Sequence, residues 1–455
     1  MIDFEKFTRF SRPGPRYTSY PTAVEFSEET SYERYLANLE ASNRSKRPLS
    51  LYIHLPFCRN ACYFCGCNVV FTSKEEKRLR YIDYLAKELA ILAQHLDMSR
   101  PVSQLHFGGG TPTFFSAEEL DRVIALLKTH FHNFQADAEL SCEIDPRHFD
   151  EEHMKVLATG GFNRISFGVQ DFNPKVQEAV HRIQSFEITK ASVELARRYG
   201  IKSINIDLIY GLPYQDLSSF ASTLTLTRSL DPDRLAVFNY AHVPWMKKTM
   251  RKIDETTLPS PAEKLRILQY TIDDLTSHGY KMIGMDHFAK PEDELFRAID
   301  KGELHRNFQG YTTKGGADLI GIGLTSISEF ERFYAQNYKE MELYEAAIDA
   351  GRLPYHRGVE LTDDDLIRKA VIMELMSNFK LHIPGIEQKF GIVFADYFKE
   401  DLPKLAPYEA EALVKVSPTA IEVNETGAML IRNIAMAFDA YLARHDDKKV
   451  FSKTI

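Results

Sequence analysis

Six short apolar, β-rich runs recur along the first half of the chain, at residues 51–55, 104–107, 139–144, 165–169, 204–208 and 235–238. Between them lie stretches whose apolar residues repeat at helical spacing, among them 75–92, 117–127, 186–199 and 217–230. The step from one strand run to the next is about 25–55 residues, the size of a βα unit with its loops. Alternating strand and helix predict a parallel sheet with helices outside it, and six units in a row predict a barrel or a partial barrel. The apolar run 281–285 offers a further edge strand.

Each run ends in a polar or Gly/Pro-rich segment. In order these are 56–68, 108–113 (GGGTPT), 143–146 (EIDP), 170–173, 207–213 (DLIYGLP) and 239–244 (NYAHVP). Segments that follow the C-terminal ends of parallel strands line one mouth of a barrel, where such folds keep their active sites. Six such segments therefore predict one pocket. Three regions frame this core. Residues 1–48 form an N-terminal arm whose RPGPRYTSYPTA is too rich in Pro and Gly for a helix. Residues 49–290 hold the βα units, and 291–360 have poor periodicity and read as elaborated loops completing the same domain. Residues 361–455 read as a small, mainly helical domain. It opens with Thr362 as N-cap and Asp363–Asp365 in the first turn, holds a hairpin at 413–416 and 420–423, and closes with a helix over 427–443.

Composition narrows the function classes. The 455 residues exclude a minimal scaffold that needs staples to fold, since a chain of this length hides roughly three-quarters of its unfolded surface. The 44% hydrophobic and 26% charged fractions are those of a globular chain. A net charge of −8 argues against a general nucleic-acid role, where basic groups must neutralise phosphates. No run approaches the length of a membrane span, and MIDFEKFTRF has no signal-peptide h-region, so a cytoplasmic chain is expected. Nothing argues for an oligomer, and monomer is the default.

The cysteines carry the first chemistry. Four of the five lie within ten residues, in HLPFCRNACYFCGC, and the fifth, Cys142, lies in a core strand. An odd count in a large unsecreted chain disfavours disulfides and favours a metal or redox site. Thiolates bind zinc or iron–sulfur clusters; a zinc knuckle would use all four cysteines, whereas an open reactive site uses three. The glycines of GGGTPT let backbone approach a ligand closely. Glu143 closes the third strand and suits a cationic ligand or a helix cap, with Asp145 the better cap. Gln170, Arg182 and Asp207 follow the fourth and fifth strands and suit the polar parts of ligands. Tyr52 and Phe64 flank the cysteine loop and suit an adenine or the core. His54 shares a strand face with Tyr52.

The spacing Cys58-x3-Cys62-x2-Cys65 on a loop after a strand resembles the radical S-adenosylmethionine (SAM) superfamily. Essentially the whole chain resembles the oxygen-independent coproporphyrinogen III oxidases (dehydrogenases) of haem biosynthesis. The resemblance rests on PGPRYTSYPTA, LYIHLPFCRNACYFCGCN, QLHFGGGTPT, EIDPR, GVQDFN, NIDLIYGLP, FNYAHVP, GMDHFA and HRNFQGYTT. It implies a partial (βα)6 TIM-like barrel with an N-terminal arm and a mainly helical C-terminal domain. It implies a [4Fe–4S] cluster on Cys58, Cys62 and Cys65, with Cys67 not a ligand, and two SAM molecules per product. By resemblance Tyr52, Gly109, Glu143 and Ile327 surround the cluster-bound SAM, and Phe64, Gly110, Thr111, Gln170, Arg182, Asp207 and Ala241 the second. The implied reaction is the anaerobic oxidative decarboxylation of two propionates of coproporphyrinogen III to vinyl groups by a 5′-deoxyadenosyl radical, giving protoporphyrinogen IX. Glu143 is then catalytic, as are Phe308 and Gln309, which line a slot for the macrocycle. Arg12 and Arg16 are candidates for pairing its propionates. The implied partners are an electron donor such as flavodoxin or ferredoxin and an unidentified electron acceptor. The related haem-binding chaperones share the cysteine spacing but typically lack the arm and the CGC ending.

Overall fold

The computed structural model describes residues 9–445, 451, 452 and 454. The chain divides into two compact units, one made of residues 26–271 and 316–360, the other of residues up to 25 with 272–315 and 361 onward. The arm expected over 1–48 and the loops expected over 291–360 are therefore each shared between the two units.

In the first unit the six predicted strands all form, each longer than its apolar run. They are β1 (Leu49–Leu55), β2 (Val102–Gly109), β3 (Phe134–Ile144), β4 (Arg164–Gln170), β5 (Ser203–Tyr210) and β6 (Arg234–Asn239). They pair in parallel, in sequence order. The helices between them include α1 (Glu75–Leu92), α2 (Ala117–His130), α3 (Glu151–Gly160), α4 (Phe186–Arg198) and α5 (Leu217–Ser229). Their starts follow side-chain chemistry. Ser116 and Glu119 form a reciprocal capping box at α2, Asp150 and Ser185 cap α3 and α4, and Asp216 and Ser219 box α5. Alternation along the strands puts Ile165, Phe167 and Val169 of β4 and Ile204, Ile206 and Leu208 of β5 into the core, and turns their partners to the other face.

Four further strands come from the region that reads as loops. They are β7 (Asp318–Ile322), β8 (Ile327–Phe330), β9 (Phe333–Asn337) and β10 (Tyr355–Glu360). β7 pairs in parallel with β1, and the other three continue antiparallel, giving the order β10-β9-β8-β7-β1-β2-β3-β4-β5-β6. Sequence periodicity misses them because β7 and β9 are buried along their whole length and show no polar alternation. Asp318, wholly buried at the start of β7, pairs with both Arg47 and Arg100.

The second unit is mainly helical. α6 (Asp363–Asn378) begins with Thr362 and Asp365 in a capping box, and its Ile367, Val371 and Leu375 are buried together. The predicted hairpin forms as Val414–Val416 with Ala420–Val423, and Lys380–His382 adds a third strand. The closing helix expected over 427–443 does not form as one piece. It breaks into Glu425–Ala428, Ile431–Ala435, Met436–Phe438 and Leu442–His445. Residues 427–438 are almost all buried, Arg432 and Asn433 included. Those two polar side chains donate to the backbone carbonyls of Phe10, Gly14 and Pro15, so tertiary demands override local helix propensity.

Removing one partner from a buried ion pair strands the other charge. Asp318→Ala is expected to destabilise the first unit by about 3–5 kcal/mol, read as a lower urea midpoint.

Candidate active site

The parallel register sorts the outward-turned side chains into rows. Tyr52 of β1 lies beside His106 of β2, which lies beside Ser141 of β3. One step on, Glu143 of β3 lies beside Ser166 of β4, which lies beside Asn205 of β5. Gly168 lies beside Asp207 in the next row. A polar face thus runs across five strands toward their C-terminal ends.

Its hydrogen bonds form two chains. His54 Nε2 donates to the Asn68 carbonyl at 3.0 Å, which leaves Nδ1 to accept from the Tyr52 hydroxyl at 3.1 Å. Burial pulls His54 down to about 4, so the ring is neutral near pH 7. The Tyr52 ring stacks on His106, with centroids 5.8 Å apart. His106 accepts from Ser141 Oγ at 2.6 Å and donates from Nε2 to Glu143 at 3.2 Å. Burial works against the Glu143 charge, but His106 and the Gly109 amide outweigh it and lower its pKa. The side chain of Glu143 keeps 47% of its exposure, so the carboxylate is both ionised and accessible. It caps no helix; Asp145 does, accepting from the Arg147 amide. Asp207 accepts from Ser166 at 2.9 Å and Asn205 at 2.7 Å. Burial, aided by the Glu143 charge, pushes Asp207 up to about 6. Two neighbouring carboxylates therefore titrate apart, the pattern of a functional site.

The cysteine loop follows β1. Phe57–Cys58 pairs in parallel with Val70–Phe71 and closes the loop at its base. Within it the Cys65 amide donates to the Cys62 carbonyl at 3.2 Å, a turn that draws these two cysteines together. Tyr63 is held by its amide on the Val180 carbonyl and by stacking on His181, with centroids 5.1 Å apart. Phe64 and Tyr63 pack against the apolar cluster of Val176, Val180, Leu212 and Met250. Arg147 and Arg182 each direct a guanidinium N–H at Cys62 Sγ, at 3.7 Å, and both pair with Asp145, at 2.6 and 2.9 Å. Burial opposes the Asp145 charge, but the two arginines hold its carboxyl far below the usual range. The Cys65 thiol is drawn down to about 6 by its hydrogen bond with Cys67, and burial pushes Cys58 up to about 12.

These donors suit a three-thiolate cluster. The loop gathers Cys58, Cys62 and Cys65, two guanidinium groups face the sulfur of Cys62, and the glycine turn leaves backbone beside it.

The glycine turn is stitched to that loop. The Gly110 amide donates to Leu55 O at 2.9 Å and the Thr111 amide to Phe57 O at 3.0 Å. A Cβ on Gly110 would lie 2.7 Å from the Pro56 carbonyl, and one on Gly109 would lie 2.7 Å from the His54 ring, with φ at +114°. Only glycine fits both positions. Thr111 is buried and its hydroxyl lies 3.4 Å from Cys58 Sγ.

The remaining predicted residues fall as follows. Gln170 ends β4 in a left-handed conformation, with φ of 72°. Besides Asp145 and Cys62, Arg182 reaches the Gly168 carbonyl. Ala241 is half-buried in the loop after β6, and Ile327 opens β8 with its backbone against Gly321. Phe308 and Gln309 belong to the second unit, at the turn of the hairpin of His305–Asn307 and Gly310–Thr312. Gln309 Nε2 is buried there without a hydrogen-bond partner among the described residues. Arg16 pairs with Asp286 in that unit, and Arg12 is exposed. Sequence reasoning missed His106, Ser141, Ser166, Asn205 and Arg147. His106 and Asn205 were signalled by polar residues interrupting apolar strand runs, and Arg147 by its place in EIDPR.

A parallel α/β sheet with a three-cysteine loop at its C-terminal edge defines a radical SAM protein, and residues 52–226 match the Radical SAM superfamily. Residues 361–430 match the HemN C-terminal domain. Within that class the chain belongs to the oxygen-independent coproporphyrinogen III oxidase family. It is 58% identical over 456 residues to the oxygen-independent coproporphyrinogen III oxidase of Helicobacter pylori (strain J99), covering 100% of this chain and 99% of the relative. It is 48% identical over 453 residues to that of Escherichia coli (strain K12), covering 100% and 98%. The solved structure of coproporphyrinogen III oxidase (HemN) from Escherichia coli, a radical SAM enzyme, superposes with a TM-score of 0.90 at 50% identity, covering 93% of this chain and 97% of that one. No helix among the described residues is long and apolar enough to cross a membrane.

The raised pKa of Asp207 has a stability consequence. A carboxyl with folded pKa about 6 and an unfolded value near 3.9 holds its proton longer when folded, so folding weakens as pH rises through that window. Relative to wild type, Asp207→Asn is expected to gain stability between about pH 4 and 6, by at most ~3 kcal/mol, and to hold that gain above pH 6. Urea midpoints measured across pH test this; a flat difference would remove the assignment.

Proposed function

We propose that this protein converts two propionate side chains of coproporphyrinogen III to vinyl groups, giving protoporphyrinogen IX without oxygen. The observation that carries this reading is the three-thiol loop stitched to a glycine turn, beside an accessible ionised Glu143, in a chain that aligns end to end with coproporphyrinogen III oxidases.

Cys58, Cys62 and Cys65 would hold a [4Fe–4S] cluster. With SAM such a cluster would supply a 5′-deoxyadenosyl radical, the hydrogen-abstracting chemistry that oxidation at a propionate β-carbon needs. In becoming a vinyl group each propionate would lose a β-hydrogen, carbon dioxide and one electron, the electron to an external acceptor.

This chain's own residues do the binding and orienting. Arg147 and Arg182 offset thiolate charge at Cys62. The glycine turn brings backbone within reach of the loop, and Glu143 offers its charge to the ammonium of SAM. Tyr52, Gly109 and Ile327 complete that first SAM site. Phe64, Gly110, Thr111, Gln170, Arg182, Asp207 and Ala241 are assigned to a second SAM. Thr111 and Arg182 act there through backbone or through Cys58 and Cys62, since their side chains are engaged with the loop. Phe308 and Gln309 are assigned to the substrate. Among the described residues the buried Gln309 amide N–H has no partner, which leaves it to offer to a substrate oxygen. Arg16 already pairs with Asp286, so a propionate role for it requires sharing that carboxylate. We assign the protein to the cytoplasm as a monomer, reduced by a flavodoxin- or ferredoxin-type donor.

An anaerobic assay with SAM, reductant and coproporphyrinogen III tests the reading. About two 5′-deoxyadenosines per protoporphyrinogen IX are expected. Deoxyadenosine without the divinyl product would move the substrate elsewhere, and haem binding without turnover would favour a chaperone. Cys58→Ser, Cys62→Ser and Cys65→Ser are each expected to lose the cluster's visible absorbance and all turnover. Glu143→Ala is expected to keep the absorbance and raise KM for SAM.

A further inference from the structure

The cysteine loop shares its surface with a basic segment whose chemistry the reaction above does not use. Residues 244–252 read PWMKKTMRK. The segment packs on the loop: Val243 and Met250 share an apolar cluster with Tyr63 and Phe64. Lys247 Nζ donates to the Cys67 carbonyl at 3.0 Å, two residues from Cys65. Lys252 Nζ lies over the Tyr63 ring, 4.9 Å from its centroid. These contacts make the loop and the segment one face of the first unit.

That face has the make-up of an interface. Trp245 and Met246 are large apolar residues held 54% and 62% exposed. Around them stand Lys247, Lys248, Arg251 and Lys252. Among the described residues none of these four cations has a carboxylate within ion-pair distance. Arg251 donates to the Pro244 carbonyl at 3.0 Å. Arg59, within the cysteine loop, is likewise exposed and without an ion-pair partner among the described residues. The acids on this segment's far side, Asp254 and Glu255, are occupied by Thr256 and His242. An apolar centre rimmed by charge of one sign is how protein interfaces steer and seat a partner of the opposite sign. The excess is local, because the whole chain carries −8.

We propose that this face docks an acidic one-electron carrier protein, the donor that reduces the cluster. The proposal rests on the radical SAM reading. The step is a one-electron transfer: the carrier is oxidised by one electron and the cluster reduced by one, with no bond made or broken. Lys247 ties the docking face to the chain between Cys65 and the surface, so a carrier seated on Trp245 and Met246 sits beside the ligand loop. An adjacent basic rim also gives the salt-sensitive association expected of transient electron-transfer partners.

The test uses the cluster-loaded protein, a reduced bacterial flavodoxin of strongly negative charge as probe, and two variants, Lys248→Glu/Lys252→Glu and Trp245→Ala. Flavodoxin-driven cluster reduction is followed by stopped-flow absorbance, and binding by titration, at low and high salt. Both variants are expected to slow reduction at low salt about tenfold or more and to weaken binding, with the charge variant losing most of its salt dependence. Reduction by dithionite, which needs no docking, is expected to match wild type, as are iron content and dithionite-driven turnover. Wild-type flavodoxin kinetics in both variants would overturn the proposal. So would an equal loss with flavodoxin and dithionite, or binding of anionic phosphatidylserine vesicles in place of flavodoxin. Dithionite-driven product formation reports on the substrate reading separately, so failure of docking and failure of that reading are told apart.

Discussion

The site depends on one close approach of backbone to backbone, where the glycine turn after β2 presses against the start of the cysteine loop after β1. Gly110 has no room for a side chain against the Pro56 carbonyl, and Gly109 none against His54. Because the two turns touch, amides of one satisfy carbonyls of the other, and a loop that would otherwise be free becomes an extension of the sheet edge. Thr111 then reaches Cys58, and Gly109 reaches Glu143. A bulkier residue at either position would separate the thiols from the carboxylate that stands beside them.

Charge arrangement is the second layer. Three thiols on a short loop repel one another once ionised, and the fold answers with two arginines and only one carboxylate between them. Asp145 orients both guanidinium groups while leaving each an N–H for the Cys62 sulfur. On the sheet face the order is reversed. Glu143 is stabilised as an anion by His106, and Asp207, its acidic neighbour, retains a proton to higher pH. Positive groups thus gather at the sulfur end and negative ones at the strand end, suiting a ligand that carries both an ammonium and a carboxylate.

Particular residues show what could be read in advance. The six strand runs, the cap at Thr362, and the spacing of Cys58, Cys62 and Cys65 are local features, set by periodicity and by side chains within a few residues of one another. They were legible for that reason. β7 and β9 were not, because a strand buried on both faces loses the alternation that marks strands. The closing helix was misread for the opposite reason. Its apolar run satisfies helix periodicity, but the burial of Arg432 and Asn433 against residues 10–15 could not be seen locally.

By itself the sequence determined the parallel α/β architecture and the family, since these follow from short-range pattern and from motifs set out along the chain. Only the tertiary structure decided which polar strand residues meet. Register alone placed Tyr52 beside His106, Glu143 beside Ser166, and Ser166 beside Asn205. It was also the fold that left Trp245 and Met246 exposed on the segment packed against the cysteine loop. The physical reason is the same in each case: pairing between strands and packing between loops join residues tens of positions apart, and no local rule of spacing carries that information.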